Sequence, residues 1–100
     1  MANYSLTRKA VGDLSEIWNY TCFTWSEKKA DLYYQMLLNN FQDIAENRVI
    51  GKNYEGIIKN IFGIRAGSHI IFYRKVATDQ VEIVRILHNR MDLKSRIQNK

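Results

Sequence analysis

Four side chains in the second half of this 100-residue chain are of the types that exchange protons or hold anionic groups: Arg65, Arg74, Arg85 and His88. Two of them fall in the stretch RILHNRMD, Arg85 to Asp92, where an apolar strand carries an arginine inside it and ends on a histidine. An arginine offers a planar fork of donors to an anion, and a histidine titrates near neutral pH, so a converging pair would suit acid/base chemistry or partner recognition. Strand alternation opposes convergence. It puts Arg85 on one face with Val81, Ile83 and Leu87, and His88 on the other with Glu82, Val84 and Ile86. Only a bulge would bring the two together.

Each of these residues also has a plainer reading. Arg85 can lie at the sheet rim, its stem on aliphatics and its guanidinium paired with a carboxylate such as Glu55 or Asp92. His88 can hydrogen-bond the end of its own strand. Arg65, beside a turn, can be a solvated charge.

Other chemistries lack their parts. His69 and His88 are the only histidines, neither lies beside a second ligand at metal-binding spacing, and a single cysteine cannot complete a structural zinc site, so no metal and no cofactor is expected. The glycines of GIRAG belong to a turn rather than a phosphate loop. There is no GxSxG elbow and no Cys/His pair for acyl transfer. Cys22, alone and set in an apolar helix, reads as a packed, reduced thiol.

The elements that must position these residues follow from periodicity. NYSL forms a short first strand, and Thr7 caps a helix running to about Trp25, with Ala10, Leu14, Ile17, Trp18 and Trp25 as its apolar stripe. Ser26 opens a second helix to about Asn47, burying Ala30, Tyr33, Leu37, Phe41, Ile44 and Ala45. With almost no linker between them, the two helices form an antiparallel hairpin. From about Ile57 the period becomes extended: IIKNIFGIR, HIIFYRK and VEIVRILH, joined by the turns AGS and ATDQ, make an antiparallel meander. The third strand is apolar on both faces, which places it inside the sheet. Trp18, Trp25, Tyr33, Tyr34, Phe41, Phe72 and Tyr73 read as core and hairpin packing, not as a base-stacking platform. After His88 the sequence admits either a short helix capped by Asn89, with Asp92 three positions on, or an open basic tail.

The expected architecture is therefore α+β, one domain over residues 1–100, with a short N-terminal strand and an antiparallel helix hairpin packed on a three- to four-stranded antiparallel sheet. The charge is uneven within it. Of the net +5, residues 1–47 carry four Lys/Arg against six Asp/Glu, and residues 48–100 carry eleven against four. The second half is the part that would attract an acidic partner. No run approaches the roughly 20 apolar residues of a membrane span, and the N-terminus has no apolar leader segment, so a cytoplasmic protein is expected.

Four stretches carry a resemblance to a known family. AVGDLSEIWNY, ADLYYQML, GIRAGSHIIFYR and VEIVRILHNRMD, in that order, resemble the ParE branch of the RelE/ParE toxin superfamily. RILHNRMD is the most specific of them. The segment NRVIGKNYEG lacks a proline often found there in the family. The resemblance implies a bacterial type II toxin that inhibits DNA gyrase so that cleaved DNA accumulates, without catalysing a reaction itself. A cognate antitoxin would neutralise it by wrapping its C-terminal segment around helices and sheet.

The sister branch, resembling RelE, cleaves mRNA on the ribosome with the same fold, which needs a general base, a general acid and cations for the phosphorane. Its alternative catalytic set in this sequence would be Arg65, Arg85 and His88, with Glu55 or Glu82. That branch typically adds a late tyrosine or histidine, and no tyrosine follows Tyr73. Under the ParE resemblance Arg85 braces the sheet. Arg65, Arg74, His88, Arg90, Met91, Lys94 and Arg96 are then the contacts for target or antitoxin. No helix combines a basic face with a helix-turn-helix glycine turn, so sequence-specific DNA binding by this chain alone is not expected.

Overall fold

The computed structural model describes residues 2–54 and 60–89. Strand β1 (Asn3–Leu6) leads through Thr7 into helix α1 (Arg8–Thr24), and Ser26 starts helix α2 (Glu27–Ala45). Both predicted caps close their helices: Thr7 Oγ1 accepts from the Ala10 amide at 3.1 Å, and Ser26 Oγ accepts from the Lys29 amide at 3.1 Å. Thr7 also donates to the Val84 carbonyl at 2.8 Å, which pins the start of α1 to the sheet.

Strands β2 (Lys52–Asn53), β3 (Phe62–Ala66), β4 (His69–Ala77) and β5 (Gln80–His88) complete a five-stranded sheet in the order β1-β5-β4-β3-β2. The expected meander is present as β3, β4 and β5, and β5 lies inside the sheet between β1 and β4. Two features correct the expected antiparallel sheet of three or four strands. β1 pairs with β5 in parallel, Tyr4 opposite Val81 and Leu6 opposite Ile83, and the two-residue β2 adds an outer edge. The parallel pairing follows from the hairpin: the two helices carry the chain back across the sheet, so that β5 returns along β1 in the same sense. The expected start of the first meander strand, residues 57–59, lies outside the described residues, and the next two residues are not strand. Asn60 adopts φ 63°, a left-handed turn conformation, and the strand begins only at Phe62.

The sheet separates two apolar clusters. Between helices and sheet lie Ala10, Leu14, Ile17, Leu37, Phe41, Ile44, Ile71, Val81, Ile83 and Ile86. Ile61, Ile70, Phe72 and Leu87 form the other cluster, with Tyr54 and Val84 packed against it. Of the expected helical stripes Ala10, Leu14, Ile17, Ala30, Leu37, Phe41, Ile44 and Ala45 are buried, whereas Trp18 and Tyr33 are only partly so. Trp25, at the hairpin turn, is 68% exposed, and Tyr34, on the outer side of α2, is exposed as well.

Candidate functional site

β5 does not alternate regularly. Phe72 lies opposite Arg85, but the next residue of β4, Tyr73, lies opposite Ile83, leaving Val84 as an extra residue. This bulge reassigns the faces expected for the strand: Val81, Ile83 and Ile86 join the helix-side core, whereas Val84 and Leu87 join the other cluster. A single inserted residue inverts every position beyond it.

The Arg85 guanidinium grips Asp13 of α1 in a bidentate pair, Nε to Oδ2 at 2.7 Å and Nη2 to Oδ1 at 2.8 Å. Their side chains are only 16% and 12% exposed. Asp13 Oδ2 also accepts from the Ile86 amide at 3.0 Å. The reason is topological: β1 ends at Leu6 opposite Ile83, so the β5 edge beyond that point has no strand partner and the helix carboxylate takes its place. The hydrogen bond to Asp13 holds the Arg85 guanidinium above its ordinary pKa, against the opposing effect of burial. Arg85 is thus a brace, as one reading proposed, with Asp13 as a partner that reading did not name; Glu55 and Asp92, the partners expected, lie outside the described residues.

Next to this pair lies a cluster that sequence reasoning did not single out. The Tyr33 hydroxyl on α2 sits 2.6 Å from His69 Nδ1, and it accepts from the Ser68 amide at 3.0 Å. The His69 ring meets the His88 ring edge to face at 5.3 Å, and the two residues are strand partners. Burial, and secondly the charge of His88, push His69 down to about 4, while Asp13 pulls the other way. The direction of the Tyr33–His69 bond follows the His69 tautomer: the hydroxyl donates to Nδ1 when the ring proton is on Nε2, and it also lies 3.4 Å from the Ala66 carbonyl. Burial raises the Tyr33 pKa, partly offset by the Ser68 amide. Tyr33 also roofs the β3–β4 turn: Gly67 has φ +60°, and a Cβ there would stand 2.7 Å from the Tyr33 hydroxyl.

The remaining expected site residues are dispersed. Arg74 pairs across strands with Glu82, Nη2 to Oε1 at 2.7 Å, on the surface. Arg65 is exposed at the end of β3, its Nε 3.5 Å from the Gly67 carbonyl. Arg90, Met91, Lys94 and Arg96 lie outside the described residues, as do Glu55 and Asp92. The alternative catalytic set is therefore uneven: His88 stacks on His69, the Arg85 fork is taken by a carboxylate, and Arg65 stands exposed at a strand end. Asp13 had a faint signal, an acid adjoining the buried positions Ala10, Leu14 and Ile17 of its own helix.

On its outer side the hairpin carries a groove of about 420 Å³ between α1 and α2, lined by Val11, Leu14, Trp18 and Tyr34 with the polar Ser15, Asn19 and Asp31. Trp18 Nε1 donates to Asp31 Oδ1 at 3.1 Å across its floor. Val11 and Leu32 are half or more exposed along this side. Among the described residues no group of three or more His, Cys, Asp and Glu is arranged to hold a metal ion, and no helix is long and apolar enough to cross a membrane.

Residues 4–93 match the family described as ParE toxin of the type II toxin-antitoxin system parDE. The chain is 34% identical to Toxin ParE1 of Mycobacterium tuberculosis over 92% of its own length and 94% of that protein. It is 33% identical to Toxin ParE1 of Caulobacter vibrioides over 97% and 99%, and 28% identical to Toxin ParE of Escherichia coli over 100% and 97%. A solved structure titled Chromosomal ParDE TA system from P. aeruginosa superposes with a TM-score of 0.71 over 88% of this chain and 96% of that one, at 19% identity. At that identity the superposition speaks for the fold.

Proposed function

Because this chain belongs to the family of ParE toxins of type II toxin-antitoxin systems, we propose that it acts in the cytoplasm by inhibiting DNA gyrase without catalysing a reaction of its own. The observation that carries this reading over the ribonuclease alternative is the Asp13–Arg85 pair. A phosphorane needs a cation to meet developing charge, and Nε and Nη2 of the Arg85 guanidinium already serve the Asp13 carboxylate in the native sheet. Partners are proposed to meet the exposed Arg65 and Arg74, and His88 with Arg90, Met91, Lys94 and Arg96 of the run that follows it in sequence.

The cognate antitoxin is proposed to seat an apolar stretch of its C-terminal segment in the outer hairpin groove, with Trp18 and Val11 as walls and Asp31 taking a basic side chain. Acidic residues of the same segment would neutralise the basic sheet half. The test is gyrase supercoiling with the purified chain, alone and after preincubation with its antitoxin. Val11→Asp, a substitution at an exposed position, should leave inhibition intact and make rescue by antitoxin fail. Unimpaired rescue of Val11→Asp would remove the groove from this role, and undiminished supercoiling with the unaltered chain would remove gyrase.

A further inference from the structure

His69 and His88 face each other across β4 and β5. Beside them the Asn89 amide donates to the Ser68 carbonyl at 3.0 Å, so the two histidines are flanked by ladder bonds rather than joined by them. Pairs of this kind bring side chains closest, with Cα atoms about 4.5 Å apart. Their ring centroids stand 5.3 Å apart, and both residues are partly exposed at the end of the sheet. The two are distant in sequence, and only strand pairing unites them.

That spacing suits a shared metal ion. An imidazole nitrogen binds zinc at about 2.0–2.1 Å, which puts the metal roughly 3.2 Å from the ring centre, and two rings at a tetrahedral angle then have centres about 5.2 Å apart. The rings meet edge to face at 76°, so binding requires a turn of an imidazole about Cβ–Cγ, a soft torsion.

The surroundings prepare His69 as a ligand through Nε2. Its Nδ1 lies 2.6 Å from the Tyr33 hydroxyl. With the ring proton on Nδ1, His69 donates to the Tyr33 oxygen, which also accepts from the Ser68 amide at 3.0 Å, and the hydroxyl hydrogen turns to the Ala66 carbonyl at 3.4 Å. Each polar atom of that chain is then served, in the way the second nitrogen of a metal-bound histidine is commonly fixed. Burial, and secondly the charge of His88, hold the His69 pKa at about 4, so that protons do not compete for the ring at neutral pH. No third His, Cys, Asp or Glu joins the pair among the described residues, which leaves the other coordination positions to water.

We propose that His69 and His88 together bind one divalent transition-metal ion of the class that prefers imidazole, zinc(II), nickel(II) or copper(II), with Tyr33 orienting the His69 ring. The ion clips β4 to β5 at the end of the sheet. It is bound by the chain itself, whatever target the chain inhibits.

The experiment uses the full chain, stripped of metal by a chelator and titrated with zinc chloride, followed by nitrogen NMR of the imidazoles and by thermal unfolding. A single saturating step should shift Nε2 of His69 together with a ring nitrogen of His88 and raise the melting midpoint, whereas magnesium chloride should do neither. His88→Gln should abolish both effects, Cys22→Ser should leave them intact, and Tyr33→Phe should weaken binding about tenfold. The Leu37 methyl resonances report that each variant is folded. Three results would each overturn the proposal: no saturable shift with zinc, nickel or copper, an undiminished His69 shift in His88→Gln, or loss of binding in Cys22→Ser.

Discussion

Asp13 and Arg85, 72 residues apart in the chain, form a buried bidentate ion pair that also satisfies the amide of Ile86. One carboxylate thereby ties the first helix to the open edge of the central strand, just past the bulge at Val84. Replacing Asp13 by Ala takes the carboxylate away from a mostly buried guanidinium and from the Ile86 amide, at a cost of about 3 kcal/mol. The double change Asp13→Leu with Arg85→Met removes both charges and should restore part of that loss. Urea unfolding of the single and double variants checks the claim, and equal losses in the two would contradict it.

Leu37 is fully buried at the centre of the helix-side core. Leu37→Ala should lower stability by about 2–5 kcal/mol, the range for truncating a buried leucine where the surroundings relax only in part. An unchanged melting midpoint would mean that the hairpin is not packed as described.

His69 carries the pH dependence. Its folded pKa, about 4, lies below its ordinary 6.5, so the unfolded chain takes up the proton first as pH falls. The contribution is complete above about 6.5, declines as pH falls toward about 4, and changes no further below it. Denaturant midpoints measured between those limits should slope downward with acid, and His69→Gln should flatten the slope. Tyr33→Phe removes the hydroxyl bonded to His69 and to the Ser68 amide and should cost about 1 kcal/mol of stability for the lost hydrogen bonds, read from the same denaturant midpoints.

At the β3–β4 turn, Gly67→Ala meets two penalties together. The backbone stands at φ +60°, and the new Cβ collides with a hydroxyl that Ser68 and His69 hold in place. The loss should be about 1–2 kcal/mol from the left-handed conformation alone. It should be accompanied by a changed His69 titration, readable by NMR of the imidazole ring.

Much of this architecture was legible in the sequence because it rests on local rules. Thr7 and Ser26 announce their helices, the stripes Ala10–Leu14–Ile17 and Leu37–Phe41–Ile44 announce the buried faces, and the double-sided apolarity of β5 announces its interior place. The parts that were not legible depend on pairings distant in sequence. Nothing local tells that NYSL would lie parallel to the last strand, or that Val84 would bulge. The bulge in turn decides which side chains face the helices. Without it Asp13 had no visible reason to meet Arg85, and His69 had no visible reason to meet Tyr33 and His88. Trp25 misled for the opposite reason: helical spacing assigns it to the stripe, but it sits at the hairpin turn and is exposed.

The measurement that bears most directly on the proposed activity is a gyrase cleavage assay with the purified chain, run beside a reconstituted translation reaction scored for mRNA cuts. Accumulated cleaved DNA with intact mRNA is the expected result. Codon-phased mRNA cuts with normal gyrase turnover would contradict it, and would make Arg65, Arg85 and His88 the first residues to mutate.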